Sequence, residues 1–171
     1  TNFGNLTGVS ASKFGFSAPT RGVFGGGFGG GGYQSTIDYI TIASTGNATS
    51  FGNLTQARTY HSSGGNSTRG LWAGGDNGAN VNTIDYVTIA TTGNATDFGD
   101  LSVARSAYAS GTTSPLRAVF PGGFAPSLTA TIDYVTIATL GGTATDYGDL
   151  SSASGRAGLQ ALSSPTRAIF A

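Results

Sequence analysis

The chain has 171 residues, with eight Asp and no Glu set against seven Arg and one Lys, so its formal net charge is zero. Its Arg residues are dispersed at repeat spacing, which excludes the clustered basic footprint of a nucleic-acid binder, and no charge run addresses a polyanionic partner. The absence of Cys excludes disulfides, zinc-thiolate sites and thiol nucleophiles, and no apolar stretch reaches the roughly 18 residues of a membrane-spanning helix.

Strong helix formers are scarce, whereas Thr, Ile, Val, Phe and Tyr are plentiful and Gly occurs 29 times, so the chain reads as all-β. The words Thr-Ile-Asp-Tyr-(Ile/Val)-Thr-Ile-Ala start at Thr36, Thr83 and Thr131, a spacing of 47 to 48 residues. A period of that length, built from strand-like segments and Gly-rich turns, predicts propeller blades of four antiparallel strands, about 3.5 units in all.

In chain order, residues 1–7 carry Phe3-Gly-Asn-Leu6 and read as the outer strand of a split blade. Three whole blades follow over residues 8–55, 56–102 and 103–151, and 152–171 supplies the first two strands of another split blade. Each unit opens on small residues ending in a Ser/Thr/Pro cluster, which suits a crowded innermost strand. The second strand is Arg21-Gly-Val-Phe24, Arg69-Gly-Leu-Trp72, Arg117-Ala-Val-Phe120 or Arg167-Ala-Ile-Phe170, with a Gly pair after the first three.

In the third strand, alternation places Ile37, Tyr39 and Thr41 on one face and Asp38, Ile40 and Ile42 on the other. Apolar residues on both faces predict sheets stacked face to face rather than half solvated. The fourth strand is Phe51-Gly-Asn-Leu54, Phe98-Gly-Asp-Leu101 or Tyr147-Gly-Asp-Leu150. It follows Thr45-Gly46-Asn47, Thr92-Gly93-Asn94 or Gly141-Gly142, residue types that suit the positive φ of a tight hairpin.

Several residues are candidates for function. Arg21, Arg69, Arg117 and Arg167 recur with Asp38, Asp85 and Asp133 once per unit, which predicts a structural ion pair in or between blades, with an ion-binding pore as the alternative. Arg58, Arg105, Asp97, Asp100, Asp146 and Asp149 read the same way. The copies differ most between the second and third strands, where Phe28, Tyr33, Gln34, Asp76, Asn77, Asn80 and Phe124 fall. Should these loops share one rim, aromatic and amide groups would stack on sugar rings and hydrogen-bond their hydroxyls; solvated turns are the other reading.

The Gly-rich run at 25–32 lacks the Lys-Ser/Thr of a phosphate loop, and Asp76, Asn80 and Asn82 fall short of the six to eight oxygens that calcium takes. His61 stands alone, without Cys or Glu, and reads as an exposed strand residue rather than a catalytic one. No cofactor, metal or enzymatic activity is predicted. Asn5, Asn47, Asn53, Asn66 and Asn94 form sequons, several of them expected by chance in so Thr-rich a chain.

Taken together, an Arg ahead of an apolar strand ending in Gly-Gly, a Tyr-bearing strand and an aromatic before Leu resemble the kelch repeat, with Phe or Tyr where that repeat carries Trp. The fuller wording, Thr-Arg-Gly-Val-Phe-Gly-Gly and Thr-Ile-Asp-Tyr-Val-Thr-Ile-Ala-Thr-Thr-Gly-Asn-Ala-Thr-Asp-Phe-Gly-Asp-Leu, resembles repeats in structural and tail-associated proteins of aquatic bacteriophages. The resemblance implies a virion or extracellular protein that displays a binding surface, and the dispersed charge and lack of a long apolar stretch predict neither nucleic acid nor membrane as partner. The interrupted units at either end predict further repeats or other copies as partners, with a small four-bladed ring in which residues 1–7 and 152–171 share a gapped blade as the alternative.

Overall fold

The computed structural model describes residues 2–107, 111–151 and 155–171, and these form strands, turns and loops without a helix. The expected third-unit strand runs partly over 108–110, and the expected boundary of the last segment falls at 152–154. Both lie outside the described residues.

Three four-stranded antiparallel sheets follow one another along the chain. Sheet I consists of β1 (Phe14–Ser17) and β2 (Arg21–Gly25), then, beyond a small hairpin of β3 (Phe28–Gly29) and β4 (Gly32–Tyr33), β5 (Thr36–Thr41) and β6 (Thr49–Asn53). Sheet II is built from β7 (Ser62–Gly65), β8 (Arg69–Ala73), β9 (Thr83–Thr88) and β10 (Thr96–Asp100). Sheet III repeats the plan with β11 (Thr112–Thr113), β12 (Arg117–Pro121), a hairpin of β13 (Phe124–Ala125) and β14 (Ser127–Leu128), β15 (Thr131–Thr136) and β16 (Thr145–Asp149). A last hairpin pairs β17 (Ala161–Ser163) with β18 (Ala168–Phe170). No closed barrel or ring forms among the described residues.

Register explains which side chains meet. Facing residues on neighbouring antiparallel strands share a face, so Val23 and Tyr39 point one way while Phe24 and Asp38 point the other. Sheet II uses both faces as the sequence predicts. Trp72, Val87 and Ile89 pack against Val23, Ile37 and Phe51 of sheet I, and Leu71, Ile84 and Phe98 pack against Phe120, Val135 and Ile137 of sheet III. Trp72 and Leu71 are fully buried, each worth about 2–3 kcal/mol of transfer free energy.

Backbone contacts reinforce this stacking at two places in every unit. The Gly pair after the second strand adopts positive φ, +66° and +116° at Gly74 and Gly75, and the Gly75 N–H donates to the Arg105 carbonyl of the next unit at 2.9 Å. Gly27 with Arg58 and Gly123 with Arg156 repeat the bond at 2.9 and 2.7 Å. A Cβ at Gly74 would lie 2.6 Å from the Arg105 oxygen, so the pair is required by close approach as well as by φ.

The second contact lies at the fourth strand. Gly93 and Ala95 N–H donate to the Phe51 and Asn53 carbonyls, each at 2.8 Å. The Asn94 Oδ1 accepts from the Asn53 N–H at 3.0 Å. The Gly46-Asn47 and Gly93-Asn94 segments therefore are not tight hairpins with positive φ, because neither Gly46 nor Gly93 adopts it; they extend to grip the preceding unit. Phe3-Gly-Asn5 takes the same place against Gly46–Ala48, through Gly46 N–H to Phe3 O and Ala48 N–H to Asn5 O. It does so outside any ladder, so the expected outer strand is an extended segment.

Candidate binding rim

The loops between second and third strands all emerge at the same end of the sheets. In sheet I the β3–β4 hairpin turns on Gly30 and Gly31, whose φ values of +60° and +87° suit a type I′ turn. Phe28 and Tyr33 face each other across it with ring centroids 5.5 Å apart at 86°. The Gln34 side-chain amide donates to the Gly29 and Gly32 carbonyls at 2.6 and 3.2 Å, so Gln34 braces the hairpin from behind. Reciprocal Ala11 and Phe28 backbone bonds of 2.8 and 2.9 Å anchor it.

Each loop then touches the next. The Tyr33 hydroxyl donates to Asp76 Oδ1 at 2.7 Å, and this bond to a carboxylate raises the phenol's pKa above its ordinary value. Asp76 also accepts from the Gly78 N–H at 3.1 Å, and its backbone pairs with Thr59. Asn77 donates to Gln56 Oε1 at 2.9 Å. Asn80 Nδ2 donates to the Phe124 carbonyl at 2.9 Å, and the Phe124 N–H is held by Ser106 O at 2.8 Å.

The structure thus joins the seven rim residues read from the sequence into one row. Phe28 and Phe124 present their rings to solvent at 45% and 43% exposure, Asn77 is exposed, and Tyr33, Gln34, Asp76 and Asn80 are half-buried. A cleft of 610 Å³ lies elsewhere, between sheet III and the β17–β18 hairpin, lined in part by Val119, Tyr147 and Phe170.

Beneath the rim lies a row of buried ions that includes the expected Arg58 and Arg105 but not the expected Arg21, Arg69 and Arg117. Asp85 meets Arg58 at 3.2 Å, Asp133 meets Arg105 at 2.8 Å and Asp38 meets Lys13 at 2.7 Å, all with buried side chains. The recurring Arg21, Arg69 and Arg117 are not these partners. Arg21 lies on the Tyr39 face of sheet I, opposite the face of Asp38, and its guanidinium stacks over that ring at 4.7 Å. Arg69 over Tyr86 at 5.5 Å and Arg117 over Tyr134 at 4.4 Å repeat it. Arg21 and Arg69 also reach the next unit, donating to the Ile89 and Ile137 carbonyls at 2.6 and 2.5 Å. Arg167 is exposed on the last hairpin.

Further hydrogen bonds hold the carboxylates. Thr55 donates its backbone N–H and hydroxyl to Asp85 at 3.0 and 2.6 Å, Ser102 does the same for Asp133, and the Thr7 hydroxyl bonds Asp38. Burial pushes the Arg58 and Arg105 guanidinium pKa values down, and the facing carboxylates push them back. Lys13 stands one position before β1, as His61 stands one position before β7, so unit one supplies its cation from the place that holds His61 in unit two.

His61 itself is fully buried, against the expectation of an exposed strand residue. The absent side chain of Gly26 makes room for it, since a Cβ there would lie 2.5 Å from Nε2, and Phe14 closes on its ring at 5.4 Å. Burial, with the nearby Arg58 charge, lowers its pKa to about 3, so the imidazole is neutral at ordinary pH. Beside it, Arg58 Nε and Nη1 and Thr59 Oγ1 are buried without a hydrogen-bond partner. Among the described residues no group of three His, Cys, Asp or Glu is placed to hold a metal ion.

These features define an all-β protein of stacked four-stranded antiparallel sheets with one continuous loop rim. Comparison with protein-family models and with curated proteins finds no match for the chain.

Proposed function

We propose that the chain is a kelch-like propeller segment of a virion appendage, non-enzymatic and extracellular, whose loop rim contacts a host-surface glycan. The first strands of successive units lie side by side, β1 by β7, β7 by β11 and β11 by β17, which supports a radial arrangement of blades. Other copies or further repeats continue the stack, and no nucleic acid, membrane or cofactor enters.

The observation that carries the glycan reading is the pair of links, Tyr33 to Asp76 and Asn80 to Phe124, which turns three loops of different wording into a single surface. Exposed rings at Phe28 and Phe124 flank amide and carboxylate groups, the combination that stacks on pyranose faces and bonds their hydroxyls. Glycan-array binding tests it with the whole chain and a Phe28→Ala/Phe124→Ala variant. Wild type binds and the variant loses the signal at an unchanged unfolding midpoint. Equal signals from the two would refute the rim.

A second reading, a purely structural subunit of a filament or capsid decoration, draws on the apolar residues exposed at the ends of the stack, among them Ile42, Leu162 and Ile169. In particle images, recognition predicts the protein at fibre tips and scaffolding predicts it at regular intervals along a lattice.

A further inference from the structure

Three contacts join consecutive units, and the second and third of them recur. A first-strand side chain lies over the second strand of the next unit: Phe16 sits on Gly70, where a Cβ would come within 1.7 Å of its ring, and stacks on Trp72 at 4.9 Å. The Arg opening each second strand donates to the carbonyl after the next unit's third strand, as Arg21 does to Ile89 and Arg69 to Ile137. A hydroxyl ending the first strand donates back to the previous unit, Thr113 to Gly65 O and Ser163 to Thr113 O, both at 2.7 Å.

The register of the last hairpin identifies its equivalents. Leu162 faces Ile169 as Phe16 faces Val23, and Ser163 faces Ala168 as Ser17 faces Gly22. Leu162 therefore occupies the Phe16 place, with 74% of its surface exposed, and Ile169 beside it is 65% exposed. At the other end of the stack, Gly22, Phe24 and Ile42 hold the places of Gly70, Trp72 and Ile89. Ile42 is 45% exposed there.

Size matching selects what these two ends take. The small Gly64 and Thr112 stand in the Phe16 place where the following second strand offers Ala118 and Ala168, whereas the bulky Phe16 stands opposite Gly70. Leu162 is the remaining bulky residue of this series and Gly22 the remaining glycine, and they lie at opposite ends of one chain.

We infer that copies of this chain associate head to tail, Leu162 of one copy seating on Gly22 of a second between Phe24 and Ile40. In the single chain Gly22 is buried beneath these two side chains, with Ile40 Cγ1 3.2 Å and Phe24 Cε2 3.6 Å from where a Gly22 Cβ would stand, so seating Leu162 requires them to part. Arg167 of the first copy donates to the Ile42 carbonyl of the second, and the second copy's Ser17 hydroxyl donates to the Ser163 carbonyl of the first. The junction unit takes its inner hairpin from one chain and its Phe3-Gly-Asn5 segment from the other. Joining two unlike faces makes the contact heterologous, so it runs on as a filament or closes as a ring. This deepens the partner part of the proposed function and rests on that part, independently of glycan binding.

Sedimentation velocity of the whole chain across a concentration series tests it, with Leu162→Glu and Ile42→Glu, two exposed positions, each disabling one face. Wild type grows in mass with concentration, and each variant associates at least about thirtyfold more weakly, as expected for exposing one buried Leu or Ile. An equimolar mixture of the two variants forms a one-to-one complex that grows no further, because each retains one working face. A wild type that stays monomeric, assembly unaffected by both substitutions, or a mixture that stays monomeric would each overturn the inference. The Phe28→Ala/Phe124→Ala variant assembles as wild type does, and Leu162→Glu keeps its array signal, so failure of either idea is read apart from the other.

Discussion

Gly99 and Gly148 occupy the same place in the Phe-Gly-Asp and Tyr-Gly-Asp turns, with φ values of +140° and +133°. Both N–H groups are held at 2.8 Å by an Asp two residues earlier, Asp97 and Asp146. They differ in their neighbours: a Cβ on Gly99 would come 1.9 Å from the Gly142 carbonyl oxygen of the next unit, whereas nothing lies within 4 Å of one on Gly148. Replacing either by Ala imposes the same backbone strain, about 1–2 kcal/mol. At Gly99 the adjoining turn must also retreat by more than 1 Å, which breaks the Ala144 N–H to Asp100 O and Asp100 N–H to Gly142 O bonds of 2.6 and 3.3 Å. At about 1 kcal/mol per bond, plus about 1 kcal/mol of lost packing, Gly99→Ala costs about 3 kcal/mol more than Gly148→Ala. Urea unfolding followed by Trp72 fluorescence reads the difference directly, and thermal midpoints separate by roughly 6–12 °C for a chain of this size. Equal losses in the two variants would refute the idea that this glycine exists for the contact between units.

Two other perturbations probe the core. His61 is neutral in the fold with a pKa of about 3, while an unfolded His titrates near 6.5. Below about pH 6.5 the unfolded chain binds the extra proton, so stability is complete above that value and falls by up to about 5 kcal/mol as pH approaches 3. His61→Asn flattens this part of a stability–pH curve, and a wild-type curve level from pH 7 to 4 would contradict the burial argument. Gly70→Ala places a methyl group inside the Phe16 ring and costs about 1–3 kcal/mol, most of it recovered by pairing it with Phe16→Leu. Additive losses in the double variant would show that the two residues do not touch.

Strand order and two-sided packing were legible in the sequence because the period-2 alternation of Thr-Ile-Asp-Tyr-(Ile/Val)-Thr survives in β5, β9 and β15. The place of the variable loops was legible because the copies agree where sheets pack and differ where loops emerge. Recurring structural pairs that include Arg58 and Arg105 were expected, but the pairing of Asp38, Asp85 and Asp133 with Arg21, Arg69 and Arg117 was misread because one Arg and one Asp per unit fix a ratio and no geometry. Pairing β2 with β5 places Arg21 opposite Thr41 and Asp38 opposite Phe24, on different faces of the sheet. The true cations, Lys13, Arg58 and Arg105, come from the loop ahead of each first strand, and the change of place between Lys13 and Arg58 hides the equivalence from a column-by-column reading. His61 was misjudged because the room it fills comes from a side chain that Gly26 lacks, in a different unit.

The grip of each Gly pair on the following Arg carbonyl asks for no particular side chain on the accepting residue, only its peptide oxygen. Loops at the rim are therefore released from maintaining the scaffold, and a loop from one unit grafted into another should leave the spine intact. Such an arrangement lets the wording of that surface change one hairpin at a time while the joints below stay fixed.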